Sequence, residues 1–339
     1  MIWPFRKKPH KKPATRTAIF FGALIVCAIS GAIQLPLPLE GAFRGVRNEM
    51  RARPADQSIV VAAIDAKTVR AFGASAYSRG YNAILLDKVF AMGGTKVYFD
   101  EAFSQTMDKE GDEAFARSLE RYRGKVYSGA MYFRSHETGE KEEILPAPIF
   151  RDHTTIRSLN GAATPFSVSA ELVYADVFDG KVTPSVSADI AQHSGPAGQR
   201  YLPDWTIRAM SVPTVSVVDL VEGRVPPEKL RGKVVLVGIT TEQTDFVQIY
   251  GQGWFPGVYV HAVGAQTLKE GDPKNIGWIP PLLGASAFGI ALLLMATSRA
   301  GSMVASKYPA KDDLPTPGTP VSSMMPFPSA SSRDTQATA

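Results

Sequence analysis

Five residues carry the chemistry this chain could do: Asp65, Arg79, Asp100, Asp245 and His261. Asp65 and Asp100 each close a short apolar run, and Asp245 lies in the loop after a third. Arg79 opens a helical segment, and His261 falls near the start of another. In parallel α/β sheets ligands sit beyond the carboxyl ends of strands, where the chain order reverses. Helix N-termini and arginine both favour anions, and carboxylates hold hard cations. If the five converge, they form a cleft for a small polar or anionic ligand, or for a divalent cation. The structural alternative is that Asp65 and Asp100 cap helices or pair with Arg79 to hold loops.

A catalytic version of the same set adds Glu101. Asp65, Asp100, Glu101 and Asp245 would then form a carboxylate cluster for metal-assisted hydrolysis. No phosphate loop, no GxSxG and no HExxH occurs in the chain. His136, His153 and His193 fall in polar stretches without partners at ligand spacing. The sequence therefore assigns no catalytic residue, no resident metal and no cofactor.

The elements that must position these residues alternate. SIVVAAI at 58–64 is a continuous apolar, β-branched run, as a strand buried on both faces requires. The spacing predicts a helix over 79–92, stopped by Gly93 and Gly94, then a strand over 96–99, a helix over 112–122 and a strand over 126–133. FSVSAELVYADVF at 166–178 has alternating and helical features and is read as a helix. Residues 215–220 open a short helix, 233–237 form the clearest buried strand of the second half, and a helix lies within 257–271. Strands alternating with helices give right-handed crossovers. The fold class expected is α/β, a mainly parallel sheet with helices on both faces.

Two charge-free stretches flank this body. Residues 18–39 and 275–298 are each about long enough to cross a bilayer core of roughly 30 Å. The net charge of +5 in 339 residues is concentrated at one end. Arg6, Lys7, Lys8, Lys11, Lys12 and Arg16 precede the first stretch with no acid among them, whereas 40–274 holds 27 basic and 29 acidic residues. Basic residues beside an apolar segment mark a cytoplasmic side. Arg299 follows the second stretch, and Trp278 stands at its boundary, where aromatic rings prefer to sit. The expected organisation is a basic cytoplasmic tail (1–17), a span (18–39), an extracytoplasmic domain (40–274), a span (276–298) and a disordered cytoplasmic tail (299–339). The first span is either an uncleaved anchor or a cleaved signal, with small residues at Ala28, Ser30 and Ala32. Cys27, the only cysteine, lies inside it, so the domain has no disulfide. Leu39, Phe43, Val46 and Met50 recur at helical spacing. They are read as a stalk whose apolar stripe packs on the domain, or as a lever that carries a signal to the span.

Four segments of the middle resemble the CHASE sensor group, second type (cyclase and histidine-kinase associated sensory extracellular). They are IVVAAIDAKTVRAFG at 59–73, YSRGYNAILLDKVFAMGGTKVYFDEAFSQ at 77–105, DWTI at 204–207 with VPTVSVVDLVEGRVPPEKLRGKVVLVG at 212–238, and GVYVHAVGAQTLKEG at 257–271. The resemblance implies a ligand-sensing module of bacterial signal transduction in the inner (plasma) membrane, with its main domain periplasmic. The family usually opens its first long helix with Pro-Arg, where this chain has Ser78-Arg79. It usually continues into several spans and a cyclase, kinase or cyclic-di-nucleotide output domain. Here one span is followed by about 40 residues with no enzyme in them. The expected output is absent natively, lost by truncation or a frameshift, or carried by a partner. The expected partners are the lipid bilayer, an unidentified small-molecule ligand, a cytoplasmic or membrane signalling protein and a second copy in a homodimer. No nucleic acid is expected.

Overall fold

The computed structural model describes residues 13–33, 37–134, 137, 139–163, 170–241, 246–249, 251–273, 283–284, 286–291 and 294–295. In chain order the elements are α1 (Pro13–Ala32), α2 (Leu37–Met50), β1 (Ile59–Ile64), α3 (Ala66–Phe72), α4 (Arg79–Ala91), β2 (Lys96–Phe99), α5 (Lys109–Arg121), β3 (Val126–Arg134), β4 (Lys141–Ile144), α6 (Pro148–Arg151), β5 (Thr155–Ser158) and β6 (Gly161–Ala163). There follow β7 (Ala170–Val173), β8 (Ala175–Phe178), β9 (Lys181–Pro184), α7 (Val186–Ala191), β10 (Arg200–Tyr201), β11 (Thr214–Ser216), α8 (Val217–Val221), β12 (Val234–Ile239), β13 (Phe246–Ile249), β14 (Gly253–Pro256) and α9 (Gly257–Lys269). The chain divides into a body, Gly22–Ile279, and a second unit made of Met1–Phe21 with Pro280–Ala339.

The sheet at the centre of the body runs β11-β1-β12-β2-β3, with β4 and β5 both on β3. Every pair in it is parallel except β3 with β4. β12 thus enters between β1 and β2, matching Ile59–Ile64 to Val234–Ile239 on one side and Lys96–Phe99 to Val234–Val237 on the other. All six residues of β1 are buried, which is why its sequence runs apolar without alternation. Its side chains still alternate in direction. Ile59, Val61 and Ala63 join Tyr98 and Leu236 beneath α9. Val60, Ala62 and Ile64 join Val97, Phe99, Val235 and Val237 beneath α4 and α5, where Leu85, Leu86, Val89, Phe115 and Leu119 are all fully buried.

Local chemistry sets the helix starts. Ser78 caps α4 and Asp108 caps α5, each with its side chain accepting from a backbone N–H in the first turn. Gly93, at φ +84°, turns the chain out of α4 in a conformation a Cβ would disfavour.

Three expectations are corrected. The stretch read as a helix over 166–178 holds two strands in its described part, β7 and β8. β7 lies between β6 and β10 in a small antiparallel sheet, and β8 pairs with β9. Its alternating pattern, not its helical one, is what this packing uses. Val215, expected in a helix, belongs to the edge strand β11, and the helix begins after it. The stripe on α2 does not pack on the body: Phe43, Val46 and Met50 are 67%, 63% and 83% exposed. The buried face is Gly41 and Gly45. A Cβ on Gly251 would lie 2.8 Å from the Gly45 carbonyl oxygen, so the helix seats by backbone contact between glycines.

Among the described residues no helix is long and apolar enough to cross a membrane. The side chains of α1 are described from Ala18 on, and most of the expected second span, 276–298, lies outside the described residues.

Candidate functional site

β2 delivers Asp100 to the carboxyl end of the sheet, and its backbone N–H donates to the Val237 carbonyl, 2.8 Å away, prolonging the pairing with β12 by one residue. The next turn is made by Glu101, Ala102 and Phe103. Phe103 has φ +50°, a left-handed conformation that costs a residue with a Cβ roughly 1–2 kcal/mol. An aromatic cluster holds it there: its ring packs edge-on against Phe99, Phe115 and Phe150 at 5.0, 4.9 and 6.2 Å. β3 fixes the turn from the other side, where the Gly129 N–H donates to the Glu101 carbonyl at 2.9 Å. A Cβ on Gly129 would fall 2.1 Å from Leu159 Cδ1, so only glycine lets β3 come this close.

Arg79, 4% exposed, reaches this turn from the first residue of α4. Its Nη1 donates to Glu101 Oε1 at 2.8 Å, and its guanidinium lies 4.6 Å above the centre of the Phe103 ring. The arginine neutralises Glu101 and closes the aromatic cluster at once.

His261, 5% exposed, comes from the second turn of α9. Its Nε2 stands 3.7 Å from Asp100 Oδ1, an ion-pair distance too long for a hydrogen bond. α7 anchors that turn, since the Ser187 hydroxyl donates to the His261 carbonyl at 2.9 Å. Gly238 allows α9 to descend on the sheet. A Cβ there would sit 2.7 Å from Val258 Cβ and 3.3 Å from Asp100 Cβ.

These groups line a cleft of about 700 Å³. Its polar residues include Arg79, Asp100, Glu101, Asn160, Glu171 and His261, and its walls carry Met131, Leu159, Ile239 and Val260. Asp100 is the electrostatic oddity. Its side chain is 9% exposed, and its Oδ2 is buried with no hydrogen-bond partner among the described residues. Burial, reinforced by the charge of Glu101, pushes its carboxyl up to about 7. The Glu101 side chain is 38% exposed but opens onto this cleft. Desolvation raises its carboxyl as well, with Arg79 opposing.

Of the five candidates the structure brings three together, Arg79, Asp100 and His261. Asp65 lies elsewhere. It caps α3 and accepts from Thr68 N, Thr68 Oγ1 and Ser216 Oγ, each at 2.8 Å, which ties α3 to the edge strand β11. This placement matches the structural alternative, a helix cap. Asp245 lies outside the described residues. Among the described residues no group of three or more His, Cys, Asp or Glu is placed to hold a metal ion. Asn160, Glu171 and the wall residues were not singled out by sequence. Glu171 lies in β7, inside the stretch read as a helix, and Asn160 follows an edge strand that has no pattern of its own.

The fold and site define a three-layer α/β body with a cleft at the carboxyl ends of its parallel strands. A family model described as the CHASE2 domain matches residues 20–298, most of the chain. The chain belongs to the CHASE2 domain family, a family of sensory extracellular domains. No curated protein and no solved structure matches it.

Proposed function

We propose that the chain is a membrane-anchored, extracytoplasmic sensor module of bacterial signal transduction, whose small-molecule ligand occupies the cleft between Asp100 and His261. The buried carboxylate of Asp100 carries this reading. A fold gains little from a desolvated acid with one oxygen accepting no hydrogen bond at its cleft unless something binds it. The family's sensory character supports the same reading. α9 supplies a route outward from the cleft. It carries His261 near its start, and at its C-terminal end Glu270 binds Arg53, at the junction with α2.

Anchoring rests on the six basic residues before Ala18 and on the apolar surface of α1, where Ile19, Phe21, Ile25, Val26 and Ile29 are all more than half exposed. Phe20 lies against Gly289, where a Cβ would be 2.9 Å from its ring, so the two apolar stretches touch. Topology is tested by inserting alkaline phosphatase or a fluorescent protein after Glu140. The phosphatase should be active and the fluorescent protein dark. The reverse pattern would place the body in the cytoplasm and end the sensory reading. Screening the full chain by thermal shift against small molecules should give stabilisation without turnover. Hydrolysis of phosphoesters with Mg²⁺ or Mn²⁺, lost in Asp100→Asn, would replace the sensor with an enzyme.

A further inference from the structure

The cleft is not neutral, and its imbalance has a sign. The titratable and charged groups that line it are Arg79, Asp100, Glu101, Tyr132, Glu171 and His261. Arg79 is committed to Glu101 at 2.8 Å and to the face of Phe103. Its Nη1 and its face are thus engaged within the protein, while its buried Nε meets no hydrogen-bond acceptor among the described residues. Among the described residues the cation nearest Glu171 is Arg200, at 3.9 Å. Asp100 keeps an acceptor oxygen, Oδ2, sealed from water and accepting no hydrogen bond. His261 faces it from α9 at 3.7 Å, outside hydrogen-bond reach. What is missing at this point is a donor. A positive donor fits best, because Glu101 is already balanced by Arg79 and a further carboxylate, Glu171, lines the same space. A metal ion fits poorly, since no three ligands are grouped among the described residues. The walls that face the acids are aliphatic: Met131, Leu159, Ile239 and Val260.

Resting on the sensory reading above, we infer that the ligand is a small organic amine, bound in its protonated form with the ammonium on Asp100 and an aliphatic body against Met131, Leu159 and Val260. An ammonium in a water-poor cleft forms a charge-assisted hydrogen bond to the carboxylate, and the apolar body adds burial without needing further polar partners.

Three probes share one carbon skeleton and differ only in the head group: 3-methylbutylammonium, 3-methylbutanol and 3-methylbutanoate. Each is titrated calorimetrically into the full chain at pH 8. The ammonium should bind at least tenfold more tightly than the other two, and Asp100→Asn should weaken it at least tenfold. Asp100→Asn removes one charge with little change of shape, and its circular dichroism spectrum verifies folding. The unmodified chain gives an independent readout. Cation binding favours the ionised carboxylate, so the ammonium should bind about tenfold more tightly at pH 8 than at pH 6 and release a proton on binding at pH 6. Equal or tighter binding of the alcohol or the carboxylate overturns the amine and leaves a sensory cleft of another chemistry. Ammonium binding that ignores both pH and Asp100→Asn overturns the site assignment. Binding of none of the three overturns the inference and the cleft together.

Discussion

Arg53 and Glu270, 217 positions apart, hold each other at two points: Nη1 to Oε1 at 2.8 Å and Nη2 to Oε2 at 2.6 Å. Asp204 joins them, accepting from the same Nη2 at 3.0 Å. The pair stands where the chain leaves α2 for the body and where α9 ends. Neighbouring contacts tie the same end of α9 down: the Asp56 N–H donates to Gln266, and the Asp204 N–H donates to Thr267. One helix therefore touches the candidate ligand site at its start and the stalk junction at its finish.

Replacing Arg53 by Lys should keep the charge and lose the fork, because an ammonium cannot meet both oxygens in parallel. Arg53 is 37% exposed and Glu270 46%, so water screens the pair and the cost should be only about 1 kcal/mol. Thermal unfolding in low and high salt checks this. The difference between wild type and Arg53→Lys should shrink in high salt, where screening weakens the exposed pair.

Asp100→Asn should stabilise the protein at alkaline pH. The ordinary value of its carboxyl is 3.8 and the folded value about 7. Between those values the folded state keeps a proton that the unfolded state has released. Stability therefore falls as pH rises from 4 to 7 and is level above 7. The Asn variant lacks this slope. Relative to wild type it should gain nothing near pH 4 and roughly 2–4 kcal/mol at pH 8. Melting curves from pH 4 to 8 check the sign, and a variant that loses stability at pH 8 would contradict it.

Gly238→Ala should push α9 off the sheet. The added methyl meets Val258 Cβ at 2.7 Å and Cγ2 at 2.8 Å, both on a β-branched side chain that cannot swing clear. Overpacking of this kind costs about 1–3 kcal/mol. Because the third neighbour is Asp100 Cβ at 3.3 Å, ligand binding should fall along with stability.

Asp65→Ala provides the contrast. It removes a helix cap and the link from α3 to Ser216, and should cost about 1–2 kcal/mol. Binding in the cleft should be unchanged once measured well below the melting temperature. Two aspartates in similar sequence settings would then separate into one that holds the fold and one that serves the site.

That contrast shows what could and could not be read beforehand. Asp65 and Asp100 both follow strands, and the strand-end rule selected both. What separates them is strand order. β12 lies between β1 and β2, which puts the two ends two strand spacings apart, about 10 Å. No local pattern encodes that insertion, since it depends on a segment about 170 positions downstream. β1, β2 and β12 were legible because strands covered on both faces read as unbroken apolar runs. β7 and β8 were not, because one short antiparallel sheet and one hairpin leave a pattern that also fits a helix. The stripe on α2 was legible as a helix but not in its orientation, because glycine contacts seat it and periodicity does not register them.

The place of β12 also bears on how the body comes into being. A chain emerging from its N-terminus presents β1 and β2 early, yet those two never bond to each other; the seam between them waits for Val234–Ile239. Until some 240 residues have appeared, the sheet has two raw edges at its middle and none of the contacts that α9 makes. On the export proposed above, a polypeptide built this way would stay threadable during passage through a translocation pore and close only on the far side. Fragments ending before residue 234 should accordingly be captured by proteases rather than accumulate.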